Sequence, residues 1–217
     1  MKRVVTPEIL DQLEPNDPAA LHNRRDLRRF NWLMGNDRWM RRTLKRVVNP
    51  EDSLLELGAG AGDFGLYLHK NQNLSCLSYA GLDLWPRPSL WPEHWAWHQA
   101  DLTDFSNYNE YTVLCGNFIL HQFRDAVLRK LFQEILPHLR ALIFCETARR
   151  KLHLAQLPLS NLMGINYVSR HDARVSIEGG FYDQELPGLL CLNPDEWLIE
   201  TKMTFLGAYR LVAIRKS

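Results

Sequence analysis

The sequence predicts an α/β protein: a mainly parallel seven-stranded sheet with helices on both faces and a C-terminal antiparallel hairpin. Three observations carry this. From residue 53 to residue 146, short apolar strand-like runs alternate with helical stretches, the pattern of successive βαβ units. A glycine-rich turn, Gly58-Ala59-Gly60-Ala61-Gly62, follows the first of these strands directly. The last two strand-like runs are joined by a link too short for a crossover helix, so they pair antiparallel.

In chain order, residues 1–16 contain Pro7, Pro15 and Asn16 and read as an arm with one short helical turn. Asn16-Asp17-Pro18 is a helix start, with Pro18 near the first helical position. Leu21, Leu27, Phe30, Trp32 and Leu33 continue one helical face to Met34. Gly35-Asn36 interrupts it, and a second helix over residues 37–48 ends at Asn49-Pro50. Strands are expected at 53–57, 77–84, 96–100, 111–117 and 141–146, and helices at 63–70 and 124–139. The stretch 85–97, rich in Pro and Trp, has no clean period, and its Trp91, Trp95 and Trp97 suit a cap on the sheet edge. Residues 161–180 are polar and weakly patterned, and are expected to be a substrate loop. Residues 194–201 and 203–214 form the hairpin. The expected organisation is a helical lid or extension over residues 1–50 and a ligand-binding domain over 51–217.

A chain of 217 residues, 46% hydrophobic and 24% charged, suits one α/β domain with an extension better than two cores. A net charge of +1 gives no overall field for nucleic acid. No apolar run reaches the ~18 residues of a membrane span, and Met1-Lys2-Arg3 has no apolar segment behind it, so a cytoplasmic protein is expected. Cys76, Cys115, Cys145 and Cys191 are widely spaced, which suits reduced, mostly buried thiols and no metal centre. Nothing in the sequence sets an oligomeric state.

A nucleotide approaches backbone closely where a strand gives way to a helix, and glycine lacks the Cβ that would block it. The dinucleotide fingerprint would put its third glycine at position 63, which is Asp63 here. The pattern Glu56-Leu57-Gly58-Ala59-Gly60-Ala61-Gly62 instead resembles motif I of the class I S-adenosylmethionine-dependent methyltransferases. Asp83, about 20 residues on at a strand end, has the spacing of a carboxylate that holds both ribose hydroxyls. Asp101 and Asn117 lie at the ends of the next two strands. The resemblance implies a Rossmann-like fold with S-adenosyl-L-methionine as cofactor. It puts Glu56 near the methionine end, Asp83 on the ribose and Asp101 with Leu102 at the adenine. Leu84 and Trp85 flank Asp83, and the Trp85 indole suits the adenine face.

Three further stretches carry a narrower resemblance: residues 23–35, the run Phe118-Ile119-Leu120-His121-Gln122-Phe123, and Glu146-Thr147-Ala148-Arg149-Arg150 with Arg170-His171-Asp172-Ala173-Arg174. They are similar to a bacterial subgroup of small-molecule methyltransferases often encoded beside type III polyketide synthases or flavin-dependent oxidoreductases. The chain departs from that pattern in three places. Gln122 stands where the subgroup has a second histidine, Glu146-Thr147 where it has Asn-Asp, and Ala173 where it has glycine.

A protonated acceptor needs a base, and a histidine titrating near neutrality suits a phenol or enolic carbon. His121, just after the fourth strand, and His171 are the candidates. Asp172, Arg174 and Arg149 are expected to bind substrate, as are Arg25, Arg28 and Asn31 from the N-terminal helices, which would cover the cofactor. The expected partner is a small, aromatic or polyketide-like acceptor. Two alternatives stay open: an RNA or protein methyltransferase using the basic residues of 24–46, which the sequence favours less, and a scaffold that binds cofactor but has lost its chemistry.

Overall fold

In a computed structural model, residues 1–14, 17–70, 78–158 and 164–216 are described. Their strands form one seven-stranded sheet in the order β3-β2-β1-β4-β5-β7-β6. β1 (Ser53–Leu57), β2 (Ser78–Asp83), β3 (Ala96–Gln99), β4 (Val113–Asn117) and β5 (Ala141–Thr147) run parallel. β7 (Ala208–Arg215) lies antiparallel on β5 and carries β6 (Trp197–Met203) on its outer edge. The order reverses at β1, which has β2 on one side and β4 on the other. That reversal opens a crevice at the strands' carboxyl ends, where open α/β sheets bind ligands.

β1, β2, β4 and β5 are mostly apolar because both of their faces are covered, whereas β3 at the sheet edge is exposed or half-buried. With side chains alternating along each strand, Leu55, Leu57, Leu82 and Leu114 pack with Leu128 and Phe132 of α4 (Asp125–Ile135). On the opposite face, Leu54, Tyr79, Val113 and Ile143 meet Met40 and Leu44 of α2 (Asn36–Val47) and Phe64 and Leu68 of α3 (Asp63–His69). α4 stops at Ile135 and continues only as a 3-10 turn, Leu136–His138, since Pro137 cannot donate to the helix ladder. Cys115 and Cys145 are buried free thiols, and Cys191 is half-buried. Cys76 lies outside the described residues.

α1 (Pro18–Met34) starts as expected: Asp17 accepts from the Ala19 N–H at 2.7 Å, with Pro18 at the first helical position. Gly35, left-handed at φ 66°, ends it. Asp17→Ala is expected to lower stability by about 1 kcal/mol in urea unfolding; an unchanged midpoint would remove the cap from the account.

Two segments differ from expectation. The stretch read as a loop over residues 161–180 contains a helix, α6 (Tyr167–Gly179), capped by Asn166, whose side chain accepts from the Ser169 N–H at 2.7 Å. Its buried face includes Ser169 and Asp172 beside Val168, Val175 and Ile177, so polar residues masked the helical period. Residues 161–163 lie outside the described residues. Trp91 and Trp95 are buried against Tyr79 of β2, with ring centroids 5.7 and 4.6 Å from it. They therefore form a packed plug on the α3 side rather than an edge cap. A Cβ at Gly62 would come within 2.9 Å of the Trp91 ring.

The remaining helices are α5 (Lys151–Gln156) and α7 (Glu185–Leu189). The N-terminal arm has its one turn, a 3-10 turn at Leu10–Gln12. No helix of the described residues is long and apolar enough to cross a membrane.

Candidate active site

A cavity of about 610 Å³ opens at the carboxyl ends of β1, β2 and β4 and extends under α1 and the N-terminal arm. The glycine turn forms one wall. Gly58 and Ala59 donate to the Leu82 carbonyl at 2.9 and 3.2 Å, drawing the turn onto β2. Gly60 has φ 57° and open space where a Cβ would stand. Its N–H donates to Asp83 at 2.7 Å, while the other Asp83 oxygen accepts from the Trp85 N–H at 2.9 Å. Burial raises the Asp83 pKa and these N–H groups hold it back. Each oxygen keeps a further lone pair for a ligand.

Behind the turn, Glu56 is 3% exposed and accepts a hydrogen bond from the Tyr79 hydroxyl. Burial pushes its carboxyl up to about 8, with Asp37, Asp83 and Asp63 adding to the shift. Asp37 is raised as well, by burial and by Asp63. Both line the cavity, which makes this end an acidic well suited to a cationic group.

At the other end of the crevice, Leu84 is exposed and Leu102 buried, and both line the cavity. Asp101 accepts from the Thr103 N–H and hydroxyl at 2.7 and 2.6 Å. The Arg24 guanidinium lies 3.6 Å above the Trp85 ring. Burial lowers its pKa, and its Nε and Nη2 find no partner among the described residues. Gly62 caps α3 and does not line the cavity.

Three amides close the junction of α1 and α2 over the mouth of β4. Asn31 Oδ1 accepts from Asn36 at 3.1 Å and from Asn117 at 2.9 Å, and Asn117 Oδ1 accepts from Asn36 at 3.4 Å.

The turn after β4 passes through Phe118 in the left-handed region at φ 58°. One fully buried carboxylate, Glu146, accepts from the N–H groups of Ile119 and Leu120 at 3.0 and 2.8 Å and bonds His121 Nδ1 at 2.8 Å. On the far side of the ring, Glu8 of the arm meets Nε2 at 3.2 Å. Glu8 also accepts from the Ser176 hydroxyl and, at 3.5 Å, from Gln122. Burial opposes charge on the imidazole, yet the bonds to Glu146 and Glu8 push it up to about 10. Burial likewise opposes ionisation of Glu8, and the bonds from His121 and Ser176 hold it below the usual carboxylate range. Both His121 nitrogens are thus engaged by carboxylates, which favour the cation and leave neither nitrogen open to take a proton from an acceptor. The expected base is corrected on that ground.

The arm is fastened at several points. Val4 donates to the Glu178 carbonyl at 3.0 Å, and Arg3 donates to the carbonyls of Gly179 and Phe123 at 2.7 and 2.9 Å. Asp172 lines the cavity, but its carboxylate accepts from the N–H groups of Ile9 and Leu10 and from Asn23, at 2.8, 3.1 and 3.1 Å. It fastens the arm and α1.

Four other expected residues stand apart from the cavity. His171 is half-exposed beside Asp172, and Arg25 is exposed, 3.9 Å from Asp26. Arg174 is exposed and pairs with Glu178 at 2.9 Å. Arg149 is buried, its guanidinium bonded to the Gly180 carbonyl and to Glu185. Arg28 lies on the cavity rim, 3.5 Å from Asp63. Sequence reasoning missed Glu8, Arg24, Asp37 and His153, all lining the cavity. Arg24 was within reach, since it neighbours the expected Arg25; the other three come together only through the fold.

Sheet order, strand directions and terminal hairpin define the Rossmann-like methyltransferase fold. One solved structure with this fold is the plantazolicin methyltransferase BpumL in complex with SAH, at TM-score 0.70 and 12% identity, covering 96% of this chain and 94% of that one. Human N-acetylserotonin methyltransferase in complex with SAM matches at TM-score 0.55 and 13% identity over 95% of this chain and 61% of its own. A putative O-methyltransferase from Nostoc punctiforme PCC 73102 matches at TM-score 0.59 and 12% identity, over 84% and 56%. No family model and no curated protein matches the chain by sequence.

Proposed function

We propose that this chain is a cytoplasmic S-adenosylmethionine-dependent methyltransferase acting on oxygen or carbon of a small, aromatic or polyketide-like acceptor. One observation carries the reading: a single cavity is lined by the glycine turn, Asp83 and the acidic well and also by apolar side chains, Phe30, Leu33, Phe123 and Phe205 among them. SAH and SAM, bound in two proteins of similar fold, support it.

The residues present fit the group. Asp83 retains lone pairs for two ribose hydroxyls, and Glu56, Asp37 and Asp63 offer negative charge to an ammonium and a sulfonium. Leu84, Trp85, Asp101 and Leu102 would enclose the adenine, with the Arg24 guanidinium over the Trp85 ring at that end. S-adenosylmethionine bound there supplies an electrophilic methyl group. Charge disperses in such a displacement, so alignment and exclusion of water supply much of the rate. The arm, α1 and α2 serve as the lid. His121, held between Glu8 and Glu146, fixes the turn that carries Phe118 and Ile119.

Calorimetry with S-adenosylmethionine and its demethylated product, followed by methyl-transfer screens on phenols and on total tRNA, tests the reading. Folded protein that binds neither ligand at millimolar concentration would sink it, and transfer to tRNA alone would replace the acceptor. Asp83→Ala is expected to weaken cofactor binding by about 1–3 kcal/mol, the cost of leaving polar partners unmet. An unchanged affinity would remove Asp83 from the site.

A further inference from the structure

We propose that His153 is the catalytic base of this methyl transfer and that the acceptor carries a phenol-type hydroxyl. The inference rests on the methyltransferase reading and deepens it.

His153 lies on α5, just beyond the carboxyl end of β5, and is among the residues that line the cavity. It is 4% exposed. Its Nδ1 lies 3.0 Å from the Ala148 carbonyl oxygen. A carbonyl only accepts, so Nδ1 carries the hydrogen and Nε2 is left with a lone pair. That Nε2 is buried and has no partner among the described residues. A buried acceptor without a donor is a defect in a finished core and a requirement in a site that receives one from a ligand. The hairpin turn supports the ring from behind: a Cβ on Gly207 would stand 3.3 Å from it. Leu157, Phe205 and Leu206 also line the cavity, so a flat apolar ring bearing one hydroxyl suits both its apolar lining and the nitrogen. His121 differs in the decisive respect, because both its nitrogens already face carboxylates.

The step balances. The acceptor hydroxyl gives its proton to His153 Nε2 while an oxygen lone pair forms the O–CH3 bond. The C–S bond breaks with its pair going to sulfur, leaving a neutral thioether, an aryl methyl ether and an imidazolium that returns its proton to solvent.

The test uses the whole chain and a series of phenols from weakly acidic alkylphenols to 4-nitrophenol. With alkylphenols, His153→Gln is expected to lower kcat about 10²- to 10⁴-fold and to abolish the acid limb of the pH–rate profile. The deficit should shrink for 4-nitrophenol, which ionises unaided. Calorimetry with S-adenosylmethionine should be the same for wild type and variant. Failure of the wild type to bind cofactor would defeat the methyltransferase reading, whereas normal cofactor binding isolates the role of His153. A second measurement needs no turnover: in ¹⁵N-histidine-labelled wild type holding the demethylated cofactor, phenols should move the His153 Nε2 resonance out of the lone-pair range. Equal rates and pH profiles for variant and wild type would overturn the proposal. A resonance that no phenol in the series displaces would also overturn it.

Discussion

Replacing Glu146 by alanine is expected to lower the unfolding free energy by about 3–5 kcal/mol, the cost of breaking a buried ion pair and stranding its partner. The variant leaves the His121 cation with Glu8 alone and strips the acceptor from the N–H groups of Ile119 and Leu120. The folded protein holds the His121 proton more tightly than the unfolded chain does. Its contribution is therefore complete below about pH 6.5 and is lost as pH rises through about 10. Glu8 works in the opposite sense: its folded pKa is lowered, so its contribution is present above the unfolded value of 4.5 and lost as pH falls. Urea unfolding across pH should show wild-type stability declining toward pH 10 and a flatter alkaline limb in the variant. A loss below about 1 kcal/mol would contradict the described network.

Cofactor binding at pH 7 is expected to release about one proton from Glu56. With its carboxyl pushed up to about 8, Glu56 is mostly protonated in the free protein, and a cation placed in the acidic well favours its ionised form. At pH 7 about a tenth of the molecules carry the ionised acid, so affinity should rise about tenfold between pH 7 and pH 9. Calorimetry in buffers of different ionisation enthalpy reads the proton directly, and Glu56→Gln should abolish both the release and the pH dependence. Stability responds with a definite sign. The folded pKa lies above the unfolded 4.5, so stability falls between about 4.5 and about 8. The slope approaches about 1.4 kcal/mol per pH unit. Glu56→Gln should therefore be more stable than wild type at pH 9. A pH-independent affinity would refute this role.

The glycine turn, Asp83 and the paired terminal strands were legible because each is a local event: a strand end, a fixed spacing, a short link. Helix α6 was not, since its buried face carries Ser169 and Asp172, which read as surface until Asp26 and the arm are present to bond them. His121 was found by position and misread in role. Its charge state depends on Glu8, 113 residues away, and on Glu146, 25 residues away, and no local pattern encodes either approach. Glu146 and Gln122, read as departures from the subgroup's pattern, turn out to act together, since one holds the histidine and the other bonds its second carboxylate. His153 was invisible for a related reason: only the turn that follows β5 brings the Ala148 carbonyl onto its Nδ1 and leaves Nε2 buried and without a partner among the described residues.

The closeness of Gly207 to His153, where a Cβ would stand 3.3 Å from the ring, has a consequence for how such a protein changes over time. The donor half of the cavity is built from the ends of β1, β2 and β4, deep in the parallel sheet, where an altered residue disturbs the whole core. The wall around His153 draws instead on Phe205, Leu206 and Gly207, in the turn between β6 and β7 at the margin of the sheet. On the proposed function, a few substitutions or an insertion there would retune acceptor choice and leave the methyl-donor end of the cavity intact. On the proposed function, grafting turns of different length between β6 and β7 is therefore the natural route to new acceptors.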